Sequence, residues 1–405
     1  MIRLMVWLTD TDGTALPAGE LVVGDPAENG ALHGQFRYDP QYLHHPAAFA
    51  LDPIHLPLHA GNFDADRPRA GVHGVFEDSL PDDWGRRLLA RRHKLLRHEQ
   101  RVPHLLRLIG AGGLGALSFS GDQAPAARQI GIAGHNLSRL LQLAEAFEKD
   151  ITTVEDDLAL LFAAGSSPGG ARPKVVVEHE GKSWLAKFPS IRDQFDVVAL
   201  EAASMHLARR AGVKAAHSEL IACGSRRALL VERFDIAPGG GRRHMVSMQT
   251  LAGADGYYHL GYRDLSEIIR RISAGPAEDL SQLFKQMLFN ILLGNTDDHL
   301  KNFCMLHGEE GWRLSPAFDL VPNIGQSLDH QLHIGGEFRA PDPAALLREA
   351  ENFGIKGRQR AMKIIAEIHE IVAGWQDVFE HFKAPAADIE ILGRDIKKRL
   401  SRLKQ

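Results

Sequence analysis

The spacing of apolar and polar positions changes character along the chain. From residue 1 to about 75, short apolar runs are cut by turn chemistry at Asp-Gly, Pro-Ala-Gly and Asn-Gly. Met1 to Asp10, Gly19 to Gly24 and Gly34 to Tyr38 read as strands of a small β-rich segment. Between about 82 and 110 the period becomes helical. Trp84, Leu88, Leu89, Leu95 and Leu96 stand on a basic background of Arg86, Arg87, Arg91, Arg92, Lys94, Arg97 and Arg101. That background reads as a solvated helix face, with a local partner surface as the alternative. Lys174 to His179 and Ser183 to Phe188 read as strands joined at Glu180-Gly181-Lys182. A helix from Val197 to Ala211 closes at Gly212, and Glu219 to Cys223 and Ala228 to Phe234 supply two more strands. From about 248 helices dominate. The clearest is Leu280 to Leu293, where Leu280, Leu283, Phe284, Met287, Leu288, Ile291 and Leu292 form one apolar stripe. A short hairpin is expected between Phe303 and Leu314, and several helices after Pro341.

This order predicts an α+β chain of two unequal lobes: a β-rich part, then a helical part. At 405 residues the chain exceeds what one hydrophobic core serves, so we divide it into 1–105 (small β-rich segment with a helix), 106–247 and 248–405. Composition excludes several classes. With 44% apolar and 24% charged residues the chain can bury a core and is not disordered. Its net charge of −4 provides no overall basic field for nucleic acid or membrane. Two cysteines, Cys223 and Cys304, are too few for a disulfide framework or a structural zinc site and suit a reducing cytoplasm. The first apolar run is too short for a signal peptide, and no 18-residue apolar stretch occurs, so a cytoplasmic protein without a membrane span is expected.

The sharpest chemistry is Gly294-Asn295-Thr296-Asp297-Asp298-His299-Leu300-Lys301-Asn302, directly after the buried helix. Asp297 and Asn302 have the interval of Asp and Asn in the protein-kinase catalytic loop, although the preceding His-Arg is replaced by Asn-Thr. Such a loop lets a carboxylate meet a substrate hydroxyl while the amide oxygen turns to a Mg²⁺ on the phosphates. The expected hairpin returns Asp319 beside Asn302, the place of the second kinase metal ligand, with Leu320-Val321 where kinases have Phe-Gly. Gly165-Ser166-Ser167-Pro168-Gly169-Gly170-Ala171 is a glycine-rich loop that backbone N–H groups could line for phosphate. It lacks the Lys of a Walker A loop, and taken alone such a stretch is more often a plain loop. Lys187, flanked by apolar residues, fits an anionic partner such as ATP phosphates, with Glu201 a second candidate; a snorkelling Lys is the plain alternative. Glu232 to Asp235 ends the last strand before the helical region, where an adenine-binding hinge would be. His55 and His59 have metal-ligand spacing, but Pro57 between them and the lack of a third ligand make them ordinary histidines. No G-x-S-x-G elbow or cysteine nucleophile motif occurs, so hydrolase readings fall away.

In this order, the glycine-rich serine loop, Lys187, Glu232 to Asp235, Asp297-x-x-x-x-Asn302 and Asp319 resemble the HipA family of bacterial serine/threonine kinase toxins. Ser167 to Lys174, Asn295 to Asn302 and Trp312 to Asp319 look like three successive signatures, and Phe76 to Asp82 resembles the family's amino-terminal subdomain. The resemblance implies a two-lobed protein-kinase-like fold with a helical C-terminal lobe, and ATP and Mg²⁺ as cofactors. It implies that Asp297 orients or deprotonates the substrate hydroxyl, that Asn302 and Asp319 hold Mg²⁺, and that His299 and Lys301 support the loop. Lys187 would contact ATP phosphates, the loop with Ser167, Gly169 and Gly170 would cover them, and Glu232 and Phe234 would lie at the adenine. Ser167, with Ser166 its alternative, matches a serine whose autophosphorylation switches the kinase off; the added phosphate charge would repel the loop from ATP. The implied partners are an aminoacyl-tRNA synthetase as substrate and a HipB-like helix-turn-helix antitoxin, with DNA reached only through the antitoxin. Ser247-Met248-Gln249, Pro168 and Arg172 depart from the familiar pattern and suggest a divergent paralogue. Two rivals stay open: a small-molecule kinase, since the Asp and Asn do not specify the acceptor, and a silent co-repressor docked on an antitoxin.

Overall fold

The computed structural model describes residues 1–67, 69–126, 132–133, 137–151, 156–157, 159–161, 172–256, 258–324, 329–336 and 342–403. The glycine-rich loop, with Ser166, Ser167, Gly169 and Gly170, lies outside the described residues. Contacts divide the chain into two compact units. One comprises residues 1–191, 233–255 and 306–309, and the other residues 192–232, 256–305 and 310–405.

The first unit begins with an antiparallel sheet in which β1 (Ile2–Thr9) lies between β2 (Ala15–Val23) and β5 (Leu117–Ser120). Beyond β2 come β3 (Gly34–Tyr38) and β4 (Phe63–Asp64). Alternate residues Leu4, Val6 and Leu8 of β1 are buried, as a two-residue side-chain period requires. On β3 Phe36 is buried too, its ring edge-on to Tyr38 at 4.9 Å and against Phe76 at 5.0 Å. The expected helical region becomes two helices, Asp83–Arg92 and Val102–Ile109. The first stops where Lys94 takes a φ of 51° and the N–H of Leu95 turns back to the Ala90 carbonyl at 2.9 Å. Trp84, Leu88 and Leu89 face inward, leaving the arginines outward. Further on, β6 (Ile132–Ala133) runs parallel to β7 (Lys174–His179), which pairs with β8 (Lys182–Lys187). Their turn uses positive φ at Glu180 and Gly181 (50° and 73°), the backbone of a tight hairpin. The short strand β11 (His244–Ser247) belongs to this unit as well.

In the second unit Asp196 caps the helix Val197–Arg210 by accepting the Ala199 N–H, and Gly212 takes a φ of 75° just past its end. Strands β9 (Ser218–Cys223) and β10 (Arg226–Glu232) form an antiparallel hairpin. β10 stops two residues short of the strand expected to reach Phe234. The cause is visible in the first unit, where Arg233 and Asp235 are buried as an ion pair at 2.6 Å with Arg242 at 3.3 Å. The central element is the helix Pro276–Leu293, preceded by Tyr262–Ile272 and followed by Pro343–Asn352, Arg358–Ala373, Trp375–His381 and Ala386–Arg402. Its stripe Leu283, Phe284, Met287, Leu288, Ile291 and Leu292 is completely shielded, each side chain worth roughly 2 kcal/mol of burial. Proline at its first position and Gly294 at φ 83° set its ends. The expected hairpin strands are β12 (Cys304–Gly308), whose residues 306–308 fall in the first unit, and β13 (Gly311–Leu314) in the second. Among the described residues no helix is long and apolar enough to cross a membrane.

Candidate active site

Gly294 ends the core helix in a left-handed conformation and throws the chain into the loop that carries the acidic residues. From there the side chains divide between inside and outside. Asn295, Thr296 and Asp298 are buried, whereas the Asp297 side chain is 66% exposed. A 3-10 turn over Leu300–Asn302 brings the two ends of the loop together, and the Asn302 side-chain amide donates to the Asp297 carbonyl at 2.9 Å. Only an amide N–H can donate to a carbonyl, so the Oδ1 of Asn302 faces away from Asp297 and is left as an acceptor. His299 holds the other side of Asp297, its Nε2 lying 2.6 Å from Oδ1. That hydrogen bond, joined by the charges of Asp297, Asp298 and Asp319, holds the His299 pKa above its usual value against the opposing effect of burial.

Asp319 reaches the same neighbourhood by another route. After β13 the Ser315 N–H bonds the Cys304 carbonyl at 2.9 Å, and Ala317 bridges to 214–216 through two backbone hydrogen bonds of 2.8 and 2.9 Å. Asp319 then takes a φ of 56°, unusual for a residue with a side chain though tolerated by Asp, and is half-buried. Its negative charge is among those that raise His299. The second unit thus gathers Asp297, His299, Asn302 and Asp319 about one loop, with Lys301 exposed on it. Asn302 Oδ1 and the Asp319 carboxylate are hard oxygen donors of the kind Mg²⁺ takes, and two such groups leave its remaining positions to phosphate oxygens and water.

Beneath the loop lies a polar network that sequence reasoning missed. Asp298 is fully buried and accepts the Tyr262 hydroxyl at 2.7 Å, His330 Nδ1 at 3.0 Å and the Gln331 N–H at 2.9 Å. Tyr262 in turn accepts from Asn290 at 2.9 Å, and Asn290 from Asn295 at 3.1 Å, tying the loop to the core helix. Burial and the adjoining Asp298 charge push the Tyr262 pKa well up, so its proton stays to donate. Asn323 closes the other side, donating to the Thr296 hydroxyl at 2.7 Å. The doubled Asp at 297 and 298 was the one local hint of this arrangement; His330 and Tyr262 lie too far along the chain to show as a pattern.

The remaining expected residues divide between the units. Glu232 lies in the second, with its carboxylate 3.7 Å from His217 Nδ1. Lys187 and Phe234 lie in the first; the Phe234 carbonyl accepts from Arg243 at 3.0 Å. Lys187 is half-buried, and its cross-strand neighbour Lys174 is the more deeply buried of the two. Glu201 is buried on its helix in the second unit. The chain passes from the second unit to the first between Glu232 and Arg233, within the segment expected as a hinge.

An α+β chain with a strand-rich N-terminal segment and a kinase-like loop after a buried helix defines a class, and comparison with known proteins narrows it. The model of the HipA-like C-terminal domain matches residues 166–375, and that of the HipA N-terminal domain matches residues 16–120. The chain belongs to the HipA family. Y4mE of Sinorhizobium fredii, which carries the name of a kinase, is 31% identical over 156 residues, 36% of each chain. The serine/threonine-protein kinase toxin HipA of Shewanella oneidensis is 28% identical over 187 residues, 38% of this chain and 42% of the relative. Toxin YjjJ of Escherichia coli is 23% identical over 263 residues, 59% of this chain and 55% of the relative. The matched stretches thus span from about a third to just over half the length of these relatives. A solved chain from the Shewanella oneidensis complex of HipA, HipB and operator DNA has the same fold. It matches with a TM-score of 0.69 at 18% identity, covering 98% of this chain and 96% of that one.

Proposed function

We propose that this chain is an ATP- and Mg²⁺-dependent serine/threonine kinase of HipA type. It would inhibit translation by phosphorylating an aminoacyl-tRNA synthetase and silence itself by autophosphorylation at Ser167 or Ser166. The observation that carries the reading is the closure of the 297–302 loop. Asn302 spends an amide N–H on the Asp297 carbonyl, so its side-chain oxygen is turned away as an acceptor beside an exposed Asp297, on a loop whose His299 also feels the charge of Asp319. Bound Mg²⁺ would supply charge neutralisation and alignment of the phosphates.

The residues then divide the work. His299 occupies Oδ1 of Asp297, leaving the second carboxylate oxygen to receive the proton of a serine hydroxyl as its oxygen bonds the γ-phosphorus and ADP leaves. Lys301 and Lys187 would offset the phosphate charge, the Ser167-Pro168-Gly169-Gly170 loop would cover it, and Glu232 and Phe234 would border the adenine. The segment 1–105 would be a small β-rich subdomain, 106–247 the lobe that holds the nucleotide, and 248–405 the helical lobe that carries the catalytic loop. The exposure of Asp297 favours an acceptor on a large molecule over a small enclosed substrate. A HipB-like antitoxin is the proposed partner, by analogy with the HipA–HipB–operator complex whose HipA chain has this fold.

The test is transfer of labelled γ-phosphate to purified aminoacyl-tRNA synthetases, read with tRNA charging. Label on one synthetase together with loss of its charging activity is the expected outcome. Transfer to a metabolite with no labelled protein would replace this reading with that of a small-molecule kinase.

A further inference from the structure

We infer that Tyr258 is a positioning residue for the phosphoryl transfer proposed above, acting through the backbone N–H of Leu300 to hold the 297–302 loop in its closed shape. The inference rests on the kinase reading of that loop. Leu300 opens the 3-10 turn Leu300–Asn302 and is completely buried. The first N–H groups of such a turn find no carbonyl within it, and a buried one needs a partner from elsewhere. The Leu300 N–H donates to the Tyr258 hydroxyl at 3.3 Å, the acceptor it has among the described residues. Burial raises the Tyr258 pKa, and the charges of Asp298 and Asp297 add to that rise against the lowering effect of the Leu300 hydrogen bond. The accepting oxygen therefore belongs to a neutral phenol.

The segment that carries Tyr258 is itself braced. The His333 N–H donates to the Leu260 carbonyl and the Tyr262 N–H to the His333 carbonyl, each at 3.1 Å. A Cβ on Gly261 would stand 2.5 Å from the His333 carbonyl oxygen, so this close approach of two backbones requires glycine. Together the two segments grip every second residue of the loop. The Gln331 N–H reaches the Thr296 carbonyl at 3.3 Å, Tyr262 and His330 hold the Asp298 carboxylate, and Tyr258 holds Leu300. Between these anchors the side chains of Asp297 and His299 are left exposed and half-buried. The Leu300 anchor fixes where the turn begins, and the turn carries Asn302 back to the Asp297 carbonyl. Its loss would loosen that closure and misplace Asp297 and Asn302 together. Lys187, Glu232 and Phe234, the groups proposed for ATP, stand on other segments, so nucleotide binding should survive.

The experiment compares wild type with Tyr258→Phe, which removes one oxygen and keeps the ring, at a temperature where both chains are fully folded. Incorporation of label from γ-labelled ATP into the unphosphorylated full chain, followed over a range of ATP at fixed Mg²⁺, gives a maximal rate and a half-saturating ATP concentration. Hydrogen exchange resolved to single amides reads the loop without any need for activity. The variant should lose about 10-fold or more in maximal rate, with half-saturating ATP within about twofold of wild type. Its Leu300 amide should exchange about 10-fold faster, while the amides of residues 283–292 in the core helix keep their wild-type rates. A maximal rate within about twofold of wild type overturns the inference. So does a loss that comes with a matching rise in half-saturating ATP, the mark of general distortion, and so does a Leu300 amide that exchanges as in wild type. Wild type that incorporates no phosphate overturns the kinase reading instead, and Leu300 exchange then shows separately whether Tyr258 holds the loop.

Discussion

Asp297 and Asp298 are neighbours in the chain with opposite environments, and their substitutions should separate chemistry from stability. Asp297 is exposed and touches only its own loop, so Asp297→Ala should lower kcat by about 100-fold or more while leaving stability within about 0.5 kcal/mol. Asp298 is buried with three donors aimed at it, so Asp298→Ala should cost about 3 kcal/mol or more in a urea titration by leaving Tyr262 and His330 without their acceptor. His299 adds a pH dependence. Its pKa is raised in the folded protein, so its pairing with Asp297 stabilises below the ordinary histidine range and is lost as pH rises through the raised value. Wild type should therefore exceed His299→Gln in stability at pH 5 by under about 1 kcal/mol, the margin closing above neutral pH, in parallel urea titrations. Asp297, Asn302 and Asp319 stood out in the sequence because their spacing is local. Asp298 and its partners did not, because Tyr262, Asn290 and His330 converge only through the packing of separate segments.

At the level of elements, the core helix was legible from its stripe because seven apolar positions at helical spacing have one physical solution. Strands β3 and β7 fall where alternation and turn chemistry placed them. The region 82–110 was less legible: helical periodicity continues through Leu95 and Leu96, and only the backbone reversal at Lys94 divides it. Gly294 joins the best-read element to the site. A side chain there would be strained at φ 83° and would stand 3.0 Å from Arg399 Nε and 3.1 Å from Asp395 Oδ2. Gly294→Ala should therefore cost about 1–2 kcal/mol in a chemical melt and displace the loop that follows. The expected companion is a fall in kcat larger than that in stability accounts for, measured at a temperature where the variant is fully folded.

Across the molecule, distant segments meet in ways no local period reports. In the first unit Arg242 donates its N–H to the Asp10 carbonyl at 2.9 Å, and Asp235 accepts the Gly115 N–H at 2.8 Å, so residues 233–255 pack with the N-terminal sheet. The same unit buries His244 and half-buries His307, and desolvation lowers both pKa values to about 4. Neutral burial of this kind stabilises above the unfolded pKa and is lost as pH falls. Thermal melts should drop between pH 6.5 and about 4, with His244 alone contributing up to about 3 kcal/mol, and level off below that. His244→Gln should flatten this limb of the profile.

The central claim is phosphoryl transfer directed by Asp297, and intact mass after incubation with Mg²⁺ and ATP tests it most directly. Wild type purified without phosphate should gain one phosphate, Asp297→Ala none, and Ser167→Ala should lose the modification or move it to Ser166 on peptide mapping. Wild type that binds ATP yet gains no phosphate, or an Asp297→Ala chain phosphorylated as fully as wild type, would contradict the account.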